Sequence, residues 1–163
     1  IKNKVVHLQT RNKPFKKLFM KTLILSIGTL LLSCTTPEIA EKVKTEEHSY
    51  TFSNREVEIA NNLNNYRQSK GLNVLQLEQT ASYLCQEHNN YMISLGQLSH
   101  EGFQSRAQRL GALHVAENLS KGWDNPIPAW ENSSEHKANM EGNFTHFGIA
   151  EKGGYTTLIL FRR

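Results

Sequence analysis

The sequence predicts an α+β domain in which helices pack on a small antiparallel sheet. Apolar residues recur at helical spacing in the stretch 51–95, whereas residues 146–162 alternate and are rich in β-branched and aromatic side chains. Gly153 and Gly154 separate two β-like runs, which indicates a hairpin at the end of the chain. Helices that precede a terminal hairpin are typical of the α+β class.

The net charge of +4 comes entirely from the first 33 residues. That segment holds seven Lys or Arg and no acid, while residues 34–163 hold 12 basic and 15 acidic residues, a net charge of −3. Outside the first segment there is no basic patch and no run of Arg and Lys interleaved with aromatic residues. This charge distribution argues against binding to nucleic acid.

The basic segment leads into an apolar stretch, Leu23–Leu32, of 10 residues. This length suits the hydrophobic part of a signal peptide and is short for a membrane span of about 20 residues. The stretch ends in "LLSC", which is similar to a bacterial lipobox and predicts a lipid on Cys34. Conventional cleavage and an uncleaved anchor are the alternatives. Met20 is a plausible start, so residues 1–19 can be an over-extended translation.

The expected organisation therefore has three parts. Residues 1–33 are the over-extended start and the signal peptide, residues 34–50 are the lipidated Cys and a flexible polar tether, and residues 51–163 form the folded domain. The protein is expected to be exported and held at a bacterial membrane by its N-terminal lipid, in the periplasm or at the cell surface, or otherwise secreted.

Two helices open the domain. Residues 51–69 predict a helix with one apolar face, with Ser53 among its candidate N-caps. A longer apolar stripe predicts the next helix, which Gly96 ends. The residues of that stripe are Ala81, Leu84, Cys85, His88, Tyr91, Met92 and Leu95. We expect Cys85 to be a small buried apolar residue and His88 to lie in the core or in a cleft wall.

Shorter elements follow before the hairpin. Residues 97–112 are predicted to form a loop and a short helix, and residues 113–122 a short irregular segment. Two prolines place the start of the next helix near Ile127, and another short helix is expected over Glu135–Met140.

Five short motifs occur in a fixed order along this domain. They are "LSH" at 98–100, "AENLS" at 116–120, Trp130, "SSEHKANM" at 133–140 and "NFTHFGIA" at 143–150. Together they resemble the CAP superfamily of cysteine-rich secretory, antigen 5 and pathogenesis-related-1 proteins, and most of all its short extracellular bacterial members with an SCP-like domain. The resemblance covers about residues 54–161 and implies a three-layer α/β/α sandwich.

The same resemblance implies a cleft lined by two His and two Glu. Carried over motif by motif, the two His are His100 and His136, and the first Glu is Glu117. The segment that carries the second Glu in relatives is compressed here. Glu131 lies at a different offset and Glu135 stands where Gly is usual, so the fourth member is Glu131, Glu135 or absent.

Such a cleft has three physical uses. It can hold Zn²⁺ or another divalent cation, it can perform acid–base chemistry, or it can be a hydrogen-bonded network that frames the loops and a ligand. The candidate metal ligands are His100, Glu117, His136 and Glu131. The same residues, without Glu131, are the catalytic candidates.

The sequence favours a binding function over catalysis. We expect an envelope-anchored or secreted module that binds a lipid, glycan or protein ligand in the His- and Glu-lined cleft. The alternative is a metal-assisted hydrolase or peptidase that uses the same cleft, and a scaffold without a small ligand is a third option. No Ser, His and Asp triad can be assembled, since the one Asp of the chain, Asp124, lies in a turn-like Trp-Asp-Asn-Pro stretch.

Overall fold

The structure is a computed structural model that describes residues 49–163 and the backbone of residues 6–7. The chain divides into two compact units, residues 1–8 with 47–163 and residues 9–46, and all described residues belong to the first unit. The predicted lipidation site Cys34 and most of the predicted leader and tether lie outside the described residues. Within the described ranges, no helix is long and apolar enough to cross a bilayer.

The described residues form five helices and five strands. The helices are α1 (Asn54–Ser69), α2 (Gln79–Leu95), α3 (Phe103–Arg109), α4 (Ile127–Glu131) and α5 (Ser134–Met140). The strands are β1 (Val6–His7), β2 (Gln76–Leu77), β3 (His114–Lys121), β4 (His146–Lys152) and β5 (Tyr155–Arg162). The helices come before the terminal hairpin, as the sequence predicts for an α+β domain.

The strands form one sheet in the order β1-β3-β5-β4-β2. Strand β5 lies between β3 and β4 and is antiparallel to both, and the short β1 pairs antiparallel with the start of β3. The two-residue β2 pairs parallel with β4. The predicted small antiparallel sheet is therefore present, and the short parallel β2 makes the sheet mixed at one edge.

Helices cover both faces of the sheet. Ala116 and Leu158 point to one face, where they pack in a core with residues of α1, α4 and α5. Val115 and Ile159 point to the other face and pack with residues of α2 and α3. Because successive side chains of a strand alternate between faces, these strands are buried on both sides. This arrangement is the three-layer α/β/α sandwich that the sequence predicts.

The start of α1 shows how a local signal positions the layers. Ser53 and Glu56 form a capping box, in which each side chain accepts a hydrogen bond from the other's backbone N–H. The Glu56 carboxylate is buried and also accepts the backbone N–H of Glu151 at 2.9 Å. The same side chain therefore caps the helix and ties it to β4.

Two sequence-based expectations fail in the structure. Residues 113–122 are not irregular, because His114–Lys121 pairs with β5 over its whole length. Tyr91 and Leu95 belong to the apolar stripe of α2, yet they are 39% and 43% exposed. The apolar stripe extends beyond the sheet that α2 covers, so these side chains in its last turns are exposed to solvent. Cys85 and Trp130 are buried as predicted.

Candidate functional site

Glu117 is the centre of the candidate site. It lies in the middle of β3, its side chain is 1% exposed, and it points toward α3. Arg106 on α3 donates two hydrogen bonds of 2.9 Å to the carboxylate, from Nε to Oε2 and from Nη2 to Oε1. This two-bond arrangement is the strong geometry of a guanidinium–carboxylate pair, and it compensates the buried negative charge.

His100 completes the coordination of the same carboxylate. Its Nδ1 lies 2.8 Å from Glu117 Oε1. Since an ionised carboxylate only accepts hydrogen bonds, Nδ1 carries the proton and donates it. The other ring nitrogen, Nε2, is buried and has no hydrogen-bond partner among the described residues. The His100 side chain keeps 13% of its surface exposed, and Nε2 is the ring nitrogen that remains for a ligand.

His88 lies on the far side of Arg106. Arg106 Nη1 donates to His88 Nδ1 at 3.0 Å and to the backbone oxygen of Glu101 at 2.8 Å. His88 Nε2 donates to the backbone oxygen of Ser99 at 2.6 Å. Burial, and then the positive charge of Arg106, lower the pKa of His88. A neutral His88 thus links α2, α3 and the loop that carries His100.

The second imidazole, His136, approaches β3 from the other layer. Its backbone oxygen accepts Asn118 Nδ2 at 3.0 Å, and its half-buried ring lies 6.4 Å from the Trp130 ring. Burial, and then the charge of His100, lower the pKa of His136. The charge of His100 thus reaches the His136 ring. We call the surface between the rings of His100 and His136 the imidazole site.

Side chains of α4 and α5 occupy the edge of β3 beside this site. Trp130 Nε1 donates to the backbone oxygen of Leu119 at 3.1 Å. Asn139 Nδ2 reaches the backbone oxygen of Glu117 and the Oδ1 of Asn118, at 3.4 Å and 2.8 Å. These bonds satisfy carbonyl groups that an edge strand otherwise leaves free. The motif residues Trp130, Asn118 and Asn139, with the backbone of Glu117, thus form a hydrogen-bonded structural frame along β3.

The geometry does not fit a zinc site with three protein ligands. Both oxygens of Glu117 already pair with Arg106, and Glu131 pairs with Lys70 at 3.0 Å. Among the described residues, no group of three His, Cys, Asp or Glu side chains is placed to hold a metal ion. His100 and His136 are left as two imidazoles without a carboxylate that is free to join them.

The second Glu that the resemblance implies for the cleft is therefore not identified by the structure. Glu131 is turned to Lys70 of α1, and the charge of the exposed Glu135 favours a higher pKa of the neighbouring His136. The structure brings together His100 and Glu117 by direct contact and adds His136 at short range. It pairs Glu131 with Lys70 instead.

Arg106 is the site residue that the sequence reasoning missed. It is 7% exposed and lies on the inner face of α3 with Phe103, Ala107 and Leu110. The spacing i, i+3, i+4, i+7 places this Arg within an apolar stripe, where a charged residue requires a partner. That spacing was the available signal.

Cys85 does not act as a reactive thiol in this arrangement. It lies on α2 under the same network and is completely buried. Burial, and then the negative charge of Glu117, raise its pKa far above the usual range. A thiol in such surroundings stays protonated and unreactive.

The buried His88 predicts that the domain loses stability in mild acid. Because the folded-state pKa is lowered, the unfolded chain binds more protons below the usual His value of 6.5. We expect the free energy of unfolding to be maximal above that value and to fall as the pH drops from about 7 to 5. Urea unfolding of the protein and of His88→Gln across this range tests the idea. Parallel pH profiles of the two proteins would contradict it.

The fold and this site together define a class of protein: a three-layer sandwich in which the buried Glu117 of β3 lies beside the imidazoles of His100 and His136. The sequence model of the cysteine-rich secretory protein family, CAP, matches residues 60–157. The chain therefore belongs to the CAP family. No curated protein sequence matches the chain at a significant level.

Solved structures agree on the fold. A cysteine-rich secretory protein from Staphylococcus aureus is similar with a TM-score of 0.62 and 16% identity, over 68% of this chain and 38% of that one. An extracellular protein with an SCP domain from Bacillus anthracis gives 0.61 and 20%, over 71% and 45%. An outer surface protein from Borrelia burgdorferi gives 0.63 and 18%, over 72% and 98%. The chain thus spans less than half of the first two proteins.

Proposed function

We propose that this chain is an exported bacterial protein whose CAP domain binds a ligand at the imidazole site. A lipid on Cys34 holds it at the envelope, or it is secreted. Support for export comes from the signal-peptide-like Leu23–Leu32 stretch before Cys34. Similar folds also occur in a protein described as extracellular and in another described as an outer surface protein. A mass measurement that finds no lipid on Cys34 of the membrane fraction would remove the anchor from the proposal.

The observation that carries the binding role is the state of Glu117. Its carboxylate is paired with Arg106 and accepts a hydrogen bond from His100, so it is not a free base. The polar atom left over is His100 Nε2, which has no hydrogen-bond partner among the described residues. His136 beside it is half-buried and tends to the neutral form, since its pKa is lowered. Such a surface suits a neutral ligand that presents hydroxyl or amide donors.

Among lipid, glycan and protein ligands, this chemistry favours a hydroxyl-rich glycan of the cell envelope. Neutral hydroxyl groups both donate and accept hydrogen bonds, so they match imidazole nitrogens without the desolvation cost of a charged ligand. The Trp130 ring is buried beside His136, so it supports the His136 ring from the protein interior and does not face the ligand. Rigid framing by the Asn118 and Asn139 bonds limits the entropy that binding would cost.

The test is a titration of the mature protein with soluble peptidoglycan fragments, followed through the NMR signals of its imidazole rings. We expect the His100 and His136 signals to shift together, and His100→Gln to weaken binding about tenfold or more. The matched control is His146→Gln on β4, since His146 stacks on Phe161. Signals of His100 and His136 that stay unchanged at saturating fragment, or equal loss in both variants, would refute the glycan assignment.

A further inference from the structure

A cavity of about 360 Å³ lies on the α5 side of the sheet, and neither His100 nor His136 is among the described residues that line it. Its floor is the first residue of β3 and the last residue of β5, His114 and Arg162, which are register partners and so project from the same face. The rest of its wall comes from α5 and the following loop, namely Ala138, Asn139, Gly142, Asn143 and Phe144. A space of this size is within the usual range for small-molecule sites.

The floor of the cavity carries a cation without an acidic partner. Arg162 Nη2 donates to the amide oxygen of Asn143, while Arg162 Nε is buried and has no hydrogen-bond partner among residues 49–163. No acidic side chain is among the described residues that line the cavity. Glu141, which precedes the cavity-lining Gly142 in the sequence, points away from the cavity. Its carboxylate accepts a hydrogen bond from the Tyr66 hydroxyl at 2.7 Å. A buried guanidinium N–H without an acceptor is costly, and a bound anion would remove that cost.

The neighbouring Arg163 shows how differently an ordinary arginine of this chain is placed. Its guanidinium pairs with Glu78 at 2.6 Å, and its side chain is 47% exposed. Arg162, one residue earlier, has no ion pair among the described residues and turns into the cavity. The difference follows from strand alternation, which sends consecutive side chains to opposite faces of the sheet.

The remaining wall is mainly apolar, with Asn139 and Asn143 as its polar residues. Phe144 is buried, and Ala138 and Gly142 add small apolar surface at the end of α5. A bare inorganic anion would satisfy the guanidinium but leave this surface in contact with water. A ligand that joins a carboxylate to a short apolar body satisfies both parts of the cavity.

We propose that this cavity binds a small monocarboxylate with an aliphatic or aromatic body. The carboxylate accepts the N–H groups of Arg162, including the unpartnered Nε, and the body packs on Phe144. This site shares only the framing residue Asn139 with the imidazole site among the described residues, and its ligand differs in charge. It therefore stands or falls independently of glycan binding.

Calorimetric titration of the mature protein with sodium hexanoate tests the proposal. We expect saturable binding of one hexanoate per chain, and weaker binding of 1-hexanol, which lacks the charge, and of acetate, which lacks the body. Arg162→Gln should weaken hexanoate binding at least about tenfold, because the charge-assisted hydrogen bonds are lost. The matched control, Arg163→Gln, should bind as the original protein does. N-Acetylleucine and its amide show whether a peptide terminus serves as the carboxylate source.

A second variant covers the case in which Arg162→Gln does not fold. Ala138→Leu keeps every charge and fills the cavity from the exposed surface of α5, so it should also abolish binding. Hexanoate binding that survives Ala138→Leu, or is equal in the two arginine variants, overturns the proposal. Absence of saturable binding at tens of millimolar hexanoate overturns it as well.

Discussion

Replacing Arg106 with Met is expected to destabilise the domain by about 3–5 kcal/mol, because it leaves the buried Glu117 charge without its partner. Glu117 is 1% exposed and cannot turn to water without opening the α3 layer. The same change removes the donor to His88 Nδ1 and to the Glu101 carbonyl. Urea unfolding followed by Trp fluorescence measures the loss.

The chain offers a matched control for this prediction on the same helix. Arg109 also pairs with a Glu, at 2.7 Å from Glu87, but the two side chains are 47% and 42% exposed. Arg109→Met should therefore change the free energy of unfolding by less than about 1 kcal/mol.

The double variant Arg106→Met with Glu117→Met separates the cost of an unpaired charge from the cost of lost packing. Replacing both partners removes the charge that the single variant leaves buried, so the double variant should be more stable than Arg106→Met alone. If the two arginine variants lose stability equally, or if the double variant is the least stable, burial of the ion pair does not control the stability of this site.

The elements that the sequence predicts well are those with one dominant local signal. Helix α1 has its capping residues, α2 has a long apolar stripe, and the β4–β5 hairpin has Gly153 and Gly154 between two β-rich runs. In each case, residues close in the chain determine the structure, so no knowledge of the partner element is needed.

Strand β3 could not be predicted in the same way because its polar residues serve long-range contacts. Glu117 pairs with Arg106 of α3, and Asn118 bonds to α5, so both interrupt the apolar pattern of a strand that is buried on both faces. The register with β5 supplies the regular structure instead. Functional and framing residues in a strand therefore hide the strand from pattern-based prediction.

The sequence predicted which residues belong to the candidate site, but not the contacts that give them their roles. The family motifs name His100, Glu117 and His136, and the structure brings the first two into contact. The role of Glu117, however, depends on Arg106, which lies 11 residues before it in the chain and on another layer. A carboxylate that looks available for metal or acid–base chemistry in the sequence is an ion-pair partner in the fold, and the proposed function changes accordingly.

Gly148→Ala is expected to cost at least about 3 kcal/mol, at or above the upper end of ordinary overpacking in a core. A β-carbon on Gly148 of β4 would lie 2.3 Å from the backbone carbonyl carbon of Ala81 and 2.5 Å from its β-carbon. Beside this contact, the Ser82 hydroxyl oxygen accepts the backbone N–H of Ile149 at 3.0 Å, so α2 and β4 are fixed against each other. The helix must move away to admit the methyl group.

That movement should reach the candidate site, since α2 also carries His88 and its bond to Arg106. We therefore expect Gly148→Ala to speed hydrogen exchange in β4 and to shift the His88 imidazole signals. Adding Ala81→Gly should restore only part of the stability, because the backbone carbon of residue 81 remains in place. The control Gly154→Ala meets no atom within 4 Å and pays only for its φ of +79°, about 1 kcal/mol. If the two Gly variants are equally stable, α2 does not pack on β4 at this distance, and the link from core packing to the His88–Arg106 network is lost.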